Sequence, residues 1–564
     1  MPSRLSAAVG LLLSAGTAVA ADMPDLRSLP PAPWSWSGLY FGAHIGGGLG
    51  ATSFSDAAGA AIYGGEVRTP AGLAGLQLGY NWQMPNTRWV VSVEADVAAT
   101  NGNGTNTCLA SSGAFISANC RVRQDALASL TGRVGFAAGP VGHTLFYAKG
   151  GAAFLAERLD IAANNPLISS AVLNNDKVGW TVGAGIEQAL APAWSVKMEY
   201  GYAGLGSSTM ATPASFRFVD PVVGYVPTAP GSTHVSQNAH LVRVGLNMKF
   251  GGDAYARWDG LDDYHLRGSQ QAGDSTLRGE IEIGGRVWYS SGRFQKDLGN
   301  TANQGSQNVL ISRLTYQSTA ASGEVFGRVD GTSNLFLKGF AGGGSLFSGK
   351  MNDEDWIADD GIPYSNTLSN PIKSSIGYAT VDVGYALWRG DGFKVGGFVG
   401  YNYYQENKSA YGCIQQAGAA ALVCVPSIPN ATLGITEDDK WHSVRLGING
   451  VVTLAPGLKL TADAAYLPYV SFSGVDNHLL RTDVANTKST ESGTGQGVQL
   501  EAILAYAVTP AFSVGAGGRY WAMWATAAAN TNIFGSSCPC QTLPARTERY
   551  GGFLEASYKF NGLK

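Results

Sequence analysis

The chain has 564 residues, a formal net charge of −3, and only 14% Asp, Glu, Lys and Arg. A soluble domain usually carries about 25% charged residues, whereas an apolar content of 45% excludes a disordered chain. The sequence has no run of about 18 apolar residues, which excludes a helical membrane protein, and no basic excess of the kind that nucleic-acid binders carry. Low charge with 76 Gly and 24 Tyr instead favours transmembrane β-barrels, whose apolar residues occupy alternate positions.

The first residues predict export from the cytoplasm. Arg4 precedes a short apolar stretch from Ala7 to Ala18, and Ala18-Val19-Ala20 is typical of a signal-peptide cleavage site. We therefore expect a cleaved signal peptide over residues 1–21, with an N-terminal core helix as the alternative. A proline-rich lead-in follows over residues 22–36.

The next segments predict an eight-stranded outer-membrane barrel over residues 37–251. Apolar residues from Val242 to Phe250 alternate with polar or small residues, as in a strand with one apolar face. Long and short connections also alternate along the chain, as in outer-membrane barrels but not in soluble sandwiches. Eight strands enclose a lumen filled by side chains, so we expect no wide pore. The predicted strands are 37–50, 72–84, 89–104, 125–139, 144–159, 177–189, 194–208 and 240–251.

This half resembles the small surface-antigen and OmpA-like outer-membrane barrels. The resemblance lies in the lead-in, the opening segment from Trp36 to Gly42, and a closing strand that ends at Phe250. It implies anchoring or surface display and no particular chemistry. The linker 252–275 is then expected in the periplasm. It holds several Asp residues and His265, but no metal-ligand spacing is recognisable, which favours a solvated linker over a metal site.

The remaining sequence predicts a second, ten-stranded barrel over residues 276–564. Short turns again separate pairs of strands, and long polar loops join the other ends. Several strands exceed the roughly 10 residues that cross a bilayer, so we expect them to project beyond it. The predicted strands are 276–295, 309–331, 334–351, 375–389, 393–412, 441–455, 458–476, 495–509, 512–528 and 549–560.

The six cysteines fall in the predicted loops, two to a loop. Pairing within each loop is the simplest expectation for an exported chain, although a Cys-x-Cys bridge is strained. Zinc binding is the rival interpretation, but no second ligand pair lies nearby in sequence. The candidate disulfides are Cys108 with Cys120, Cys413 with Cys424, and Cys538 with Cys540.

Two short groups at the outer ends of strands carry ionisable residues that could perform chemistry. Asp353 and Asp355 precede Trp356, and Asp476 is followed by His478. Residues at positions i and i+2 share a face of an extended chain. Each group alone is common on protein surfaces, and the first lacks the ligand spacing of an EF-hand.

Together the two groups resemble the omptins, which are ten-stranded outer-membrane endopeptidases. Family members carry an acidic pair followed by Trp in the second external loop and an Asp-x-His in the fourth. Further likenesses are the segments 312–316, 400–406 and 508–510, so the resemblance covers roughly residues 276–560.

The resemblance implies an endopeptidase that needs no cofactor, metal ion or covalent nucleophile. His478 would be the general base, with a pKa near neutrality, and Asp476 would orient its ring. Asp353 and Asp355 would position the attacking water, and their mutual repulsion would raise one pKa. The implied partners are outer-membrane lipid, lipopolysaccharide that omptins require for activity, and extracellular peptides or proteins as substrates.

Two features of the sequence depart from the omptin pattern. Omptins cleave between basic residues and use acidic residues to line the pocket, but Gly474 stands where one is expected, and none is evident over residues 292–296. Strict alternation from Leu460 to Tyr466 would also turn His478 outward, unless a bulge at Pro468 resets it. The alternatives are a non-enzymatic adhesin, antigen or envelope scaffold with a decayed site, and a diffusion porin, which narrow barrels disfavour.

Overall fold

The structure is a computed structural model. It describes residues 34–56, 59–60, 66–108, 118–139, 142–163, 171–191, 193–212, 216–220, 224–227, 231–250, 279–300, 309–357, 362–390, 392–417, 424–482, 487–531 and 537–563. No helix within these ranges is both long and apolar enough to cross a membrane. The signal peptide, most of the lead-in and the linker with His265 lie outside the described residues.

The described residues before the linker form eleven strands, and eight of them make up a closed antiparallel barrel. The strand β1 pairs with β3 on one side and with β11 on the other, which closes the barrel. The strands are β1 (Gly38–Asp56), β2 (Gly59–Ala60), β3 (Glu66–Gln83), β4 (Trp89–Cys108), β5 (Ala118–Ala138), β6 (Thr144–Ala163), β7 (Ala171–Ala191), β8 (Trp194–Thr212), β9 (Phe216–Asp220), β10 (Gly224–Pro227) and β11 (Gly231–Phe250). The short strands β2, β9 and β10 belong to the connections.

A second antiparallel barrel of ten long strands follows, closed by pairing of the first strand with the last. Its strands are β12 (Gly279–Asn300), β13 (Val309–Asp330), β14 (Leu335–Ile357), β15 (Ile362–Ser369), β16 (Ile372–Gly390), β17 (Phe393–Ala417), β18 (Ile428–Ala455), β19 (Leu458–His478), β20 (Lys488–Ala507), β21 (Phe512–Thr531) and β22 (Ser537–Leu563). The short β15 extends the hairpin that follows β14. The predicted all-β fold with an eight-stranded and a ten-stranded barrel is confirmed.

Strands reach further toward the long-loop end than the sequence pattern predicts. The strand β18 begins at Ile428, whereas alternation of apolar and polar residues begins only at Trp441. Beyond the lipid, neither face of a strand needs apolar residues, so the period-two signal ends before the hydrogen-bonded ladder does.

Ion pairs occupy the lumen of the first barrel, so charged residues that are rare in the chain are concentrated there. Arg133 lies between Glu94, at 3.0 Å, and Glu187, at 2.8 Å, and its guanidinium stacks 3.8 Å from the ring centre of Tyr147. Lys197 adds a further contact to Glu94 at 2.7 Å. Paired buried charges of this kind tolerate the loss of water, and they occupy the space that a channel would need.

The two barrels pack side by side along their outer walls. Val244 of the first barrel forms an apolar cluster with Ala464 and Leu500 of the second. Gly47 lies close to Val498, because a Cβ at Gly47 would be 3.2 Å from a Val498 methyl group. The absence of a side chain at Gly47 therefore allows close contact between the walls.

Candidate functional site

Two strands on different sides of the second barrel carry the four residues singled out in the sequence. Asp353 and Asp355 are the nineteenth and twenty-first residues of β14, and Asp476 and His478 occupy the same positions on β19. Both strands start at short turns, so the two groups lie at the same height at the long-loop end. About 10 residues suffice to cross a bilayer, so this height is outside the membrane-spanning segments.

A bulge at Pro468 turns the Asp-x-His group into the lumen. Leu467 pairs with Gly497 of β20 and Val470 with Gly495, so β19 has one extra residue between these pairs. The bulge reverses the alternation, and Asp476 is only 3% exposed and faces inward. The alternation of inward and outward side chains in the first part of β19 therefore does not continue unchanged to Asp476 and His478.

Asp476 connects His478 with a buried lysine. The distance between His478 Nε2 and Asp476 Oδ2 is 3.0 Å, and Lys296 Nζ lies 2.9 Å from the same oxygen. The ammonium of Lys296 also contacts Glu437 at 2.5 Å and Glu491 at 2.8 Å. An ammonium has three N–H donors, so these three carboxylates use all of them. When Nε2–H donates to Asp476, His478 presents Nδ1 as its free basic nitrogen.

The electrostatic surroundings of His478 favour its protonated form. Burial alone would lower the pKa of His478, but Asp476 outweighs burial and, with Asp353, raises it to about 9. Burial would raise the pKa of Asp476, yet His478 and Lys296 hold it well below its ordinary range. The expectation of a His478 pKa near neutrality is therefore wrong, because a fixed anion beside an imidazole stabilises the cation.

The acidic pair behaves in the opposite way. Burial, and after it repulsion from Asp355, raises the pKa of Asp353 to about 8. Burial also raises the pKa of Asp355, while a hydrogen bond from Ser312 and the charge of His478 oppose that rise. These interactions couple the ionisation of the acidic pair to that of His478.

Charged residues that the sequence reasoning missed surround Gly474, one step below Asp476 on the lumen face. Asp439 of β18 and Glu491 of β20 stand directly opposite Gly474 on the two neighbouring strands. A Cβ at Gly474 would lie 3.2 Å from a Glu491 oxygen and 3.4 Å from an Asp439 oxygen. Lys296 lies in the segment of the first strand where an acid was expected. These residues could have been identified from the sequence by asking which alternate positions face the lumen near the long-loop ends of the strands.

An aromatic layer closes the lumen beneath the charged residues. Phe472 packs against Trp441, with ring centres 4.4 Å apart, and against Phe294 at 6.3 Å. Lys408 Nζ lies 4.2 Å from the ring centre of Phe294 and pairs with Asp439. A separate cavity of about 360 Å³ lies at the short-turn end, and none of the four candidate residues lines it.

Two of the three candidate disulfides are formed. Cys108 bonds Cys120, and Cys413 bonds Cys424. Cys108, Cys120 and Cys413 lie on strands rather than in loops, because the strands extend beyond the predicted ends. The side chains of Cys538, Cys540 and Trp356 are not among those described. Within the described parts of the chain, no group of three or more His, Cys, Asp or Glu residues is arranged to hold a metal ion.

Comparisons with known proteins match the two barrels separately. The outer membrane protein beta-barrel domain family matches residues 7–253, and the Omptin family matches residues 312–537. The 31 kDa outer-membrane immunogenic proteins of Brucella melitensis and Brucella suis are each 30% identical over 252 residues, which cover 42% of this chain and 95% of those proteins.

Two solved structures show similarity at low sequence identity. The outer membrane protease OmpT of Escherichia coli is 15% identical, with a TM-score of 0.41, and the match covers 50% of this chain and 97% of that one. The attachment invasion locus protein Ail of Yersinia pestis is 14% identical, with a TM-score of 0.19, over 37% of this chain and 99% of that one.

Proposed function

Because the chain belongs to the outer-membrane β-barrel proteins and carries an Omptin family domain after its first barrel, we propose that its second barrel is an endopeptidase that hydrolyses extracellular peptides and proteins. The observation that supports this proposal is the placement of two pairs at one height of the lumen. Asp476 contacts His478 on β19, and Asp353 and Asp355 occupy the matching positions on β14.

In the proposed reaction a water molecule attacks the carbonyl carbon of the scissile peptide bond. His478 Nδ1 takes a proton from this water, and the imidazolium then gives it to the leaving amine nitrogen as the C–N bond breaks. Asp476 fixes the ring and stabilises the imidazolium during this transfer. Asp353 and Asp355 hold the water from the other side. The reaction consumes one water and leaves a carboxylate and a protonated amine, which takes up the second proton of the water.

The chain is an outer-membrane protein of a Gram-negative bacterium, and we propose that its long loops lie outside. We propose that residues 1–21 are a signal peptide that is removed. The proposed limits of the two barrels are residues 37–251 and 276–564. Apolar side chains on the outer walls, such as Val287 at 68% exposure and Leu554 at 70% exposure, support contact with lipid. Lipopolysaccharide is the proposed lipid partner.

The deciding experiment compares the full-length protein with His478→Ala on a peptide library. Both proteins are refolded with lipopolysaccharide, and a sample without it tests that requirement. His442→Ala is the matched control, since His442 lies on the outer wall and bonds Tyr401 rather than a lumen acid. We expect wild type and the control to cleave, and His478→Ala to lose cleavage. Equal cleavage by His478→Ala would contradict the proposal.

The alternative is a non-enzymatic surface protein with a decayed site. Gly474 in place of an acid favours it. The immunogenic relatives match 42% of this chain. A library from which the wild-type protein cleaves nothing, with the barrel folded, would support this alternative.

A further inference from the structure

The outer wall directly behind the acidic pair is covered by the first barrel. Asp353 and Asp355 face the lumen, so Glu354 between them faces outward. Glu354 is nevertheless only 4% exposed, because the long-loop end of β4 lies against it. Thr107 Oγ1 of β4 donates a hydrogen bond to Glu354 Oε2 at 3.1 Å.

Arg313 extends this contact to two further strands. Arg313 lies on β13, directly opposite Glu354 of β14, and has no exposed surface. Its Nε donates to Asp297 of β12 at 2.7 Å, its Nη1 to Thr107 Oγ1 at 2.8 Å, and its Nη2 to Asn119 Oδ1 of β5 at 2.7 Å. The planar guanidinium thus fixes the β4–β5 hairpin to β12 and β13 through directional bonds.

The hairpin that makes these contacts is itself held firmly. The disulfide between Cys108 and Cys120 joins β4 to β5 next to Thr107 and Asn119. Both half-cystines are buried with Phe54 and other apolar residues of the first barrel. The contact points therefore have a fixed position relative to the first barrel.

The first barrel is in turn held against the second at other heights. Gln295 of β12 donates to the backbone oxygen of Thr105 at 3.0 Å, and Asn101 donates to Gln496 of β20 at 3.2 Å. Together with the apolar contact around Val244, these bonds oppose a swing of the hairpin away from β14.

We propose that the first barrel positions the acidic pair of the second, by holding Glu354 and Arg313 through Thr107 so that Asp353 and Asp355 stay opposite His478. The inference rests on the proposed function for its kinetic consequence. Thr107 and Arg313 lie on the outer wall and face away from the lumen, so they are positioning residues.

The position of the acidic pair can be measured without catalysis, through His478. Asp353 raises the pKa of His478, so an acidic pair that recedes leaves His478 with a pKa closer to its ordinary value. The charged groups that act on His478 or on the acidic pair are Asp476, Asp353, Asp355, Lys296 and Arg481. Thr107 contacts β14, which carries the acidic pair, and β13, which carries none of these charged groups.

The test variant is Thr107→Val, which removes the bridging hydroxyl and keeps the side-chain volume. Thr131→Val is the matched control, because Thr131 is equally buried but bonds the Glu94 backbone inside the first barrel. We expect Thr107→Val to lower kcat about tenfold with KM unchanged, since small displacements of catalytic groups cost rate. Thr107→Ser retains the hydroxyl and should restore kcat, whereas Thr131→Val should leave it unchanged.

The second measurement is an NMR titration of ¹³C-labelled histidines in the full-length protein, with the His478 signal assigned from His478→Ala. Thr107→Val should lower the His478 pKa, and both other variants should leave it at the wild-type value. All samples are taken from the folded fraction, separated by its native electrophoretic mobility. A Thr107→Val protein that titrates like wild type would overturn the inference. If wild type cleaves no peptide, the proposed function fails, but the titration still decides the positioning role.

Discussion

The raised pKa of His478 predicts an enzyme that works best in alkaline solution. A general base must be neutral, and a pKa of about 9 leaves about 1% of His478 neutral at pH 7. About half is neutral at pH 9, so kcat/KM should rise about 50-fold between these two pH values. The physical cause is Asp476, which stabilises the imidazolium more than burial destabilises it.

The assay measures kcat/KM for one cleaved peptide from pH 6 to pH 10, because this quantity reports the ionisation of the free enzyme. Asp353→Asn is the matched perturbation, since it removes a carboxylate that raises the His478 pKa. The His478 titration of this variant, followed by NMR, should move to lower pH. A wild-type rate that reaches its plateau at or below pH 7 would refute the reasoning.

The same pKa shift affects stability in the opposite sense. His478 has an ordinary pKa of 6.5 and a raised pKa in the folded barrel. Its protonated form therefore stabilises the fold fully below about pH 6.5, and this contribution is lost as pH rises through about 9. Activity and this part of stability should thus change in opposite directions across the same pH interval.

Three further predictions follow from the buried charges. Lys296→Met should raise the His478 pKa further and cost about 3–5 kcal/mol of stability, because it leaves three buried carboxylates without their cation. Urea unfolding measures the loss of stability, and NMR titration measures the pKa. The control is Lys408→Met, which should leave the His478 pKa unchanged because Lys408 does not contact Asp476. Gly474→Asp should give no cleavage beside basic residues and should make the barrel less stable. The Cβ of the new side chain would lie 3.0 Å from the ring of Phe472 and beside two carboxylates. New cleavage beside Lys or Arg in the peptide library would contradict this prediction. Arg133→Met should destabilise the first barrel by about 3–5 kcal/mol, since two buried glutamates lose a partner, and unchanged urea unfolding would show that these contacts contribute little.

The sequence predicts the fold well because lipid and lumen impose opposite demands on alternate residues. Residues 242–250 show this alternation clearly, and their strand forms as expected. Where the lipid ends, the demand ends too, and the upper part of β18 carries no such pattern. Strand number therefore follows from the sequence, and strand length does not.

The candidate site follows from the sequence only in part. The groups Asp353 with Asp355 and Asp476 with His478 are recognisable because each lies within a short segment. Lys296 is 180 residues away from Asp476 in the chain and comes beside it only through barrel closure and the bulge at Pro468. Contacts of this kind depend on register across several strands, which local sequence patterns do not specify.

The contacts of Asp476 explain how an anion can persist in a buried lumen and still serve a histidine. A carboxylate that loses water needs compensating partners, and Asp476 Oδ2 has both Lys296 and His478 within 3.0 Å. Lys296 also lowers the His478 pKa, against the effect of Asp476. Without this lysine, Asp476 would bind the imidazolium more strongly, so the His478 pKa would rise and less of the neutral base would form. The lysine therefore sets the balance between an anchored histidine and a usable one.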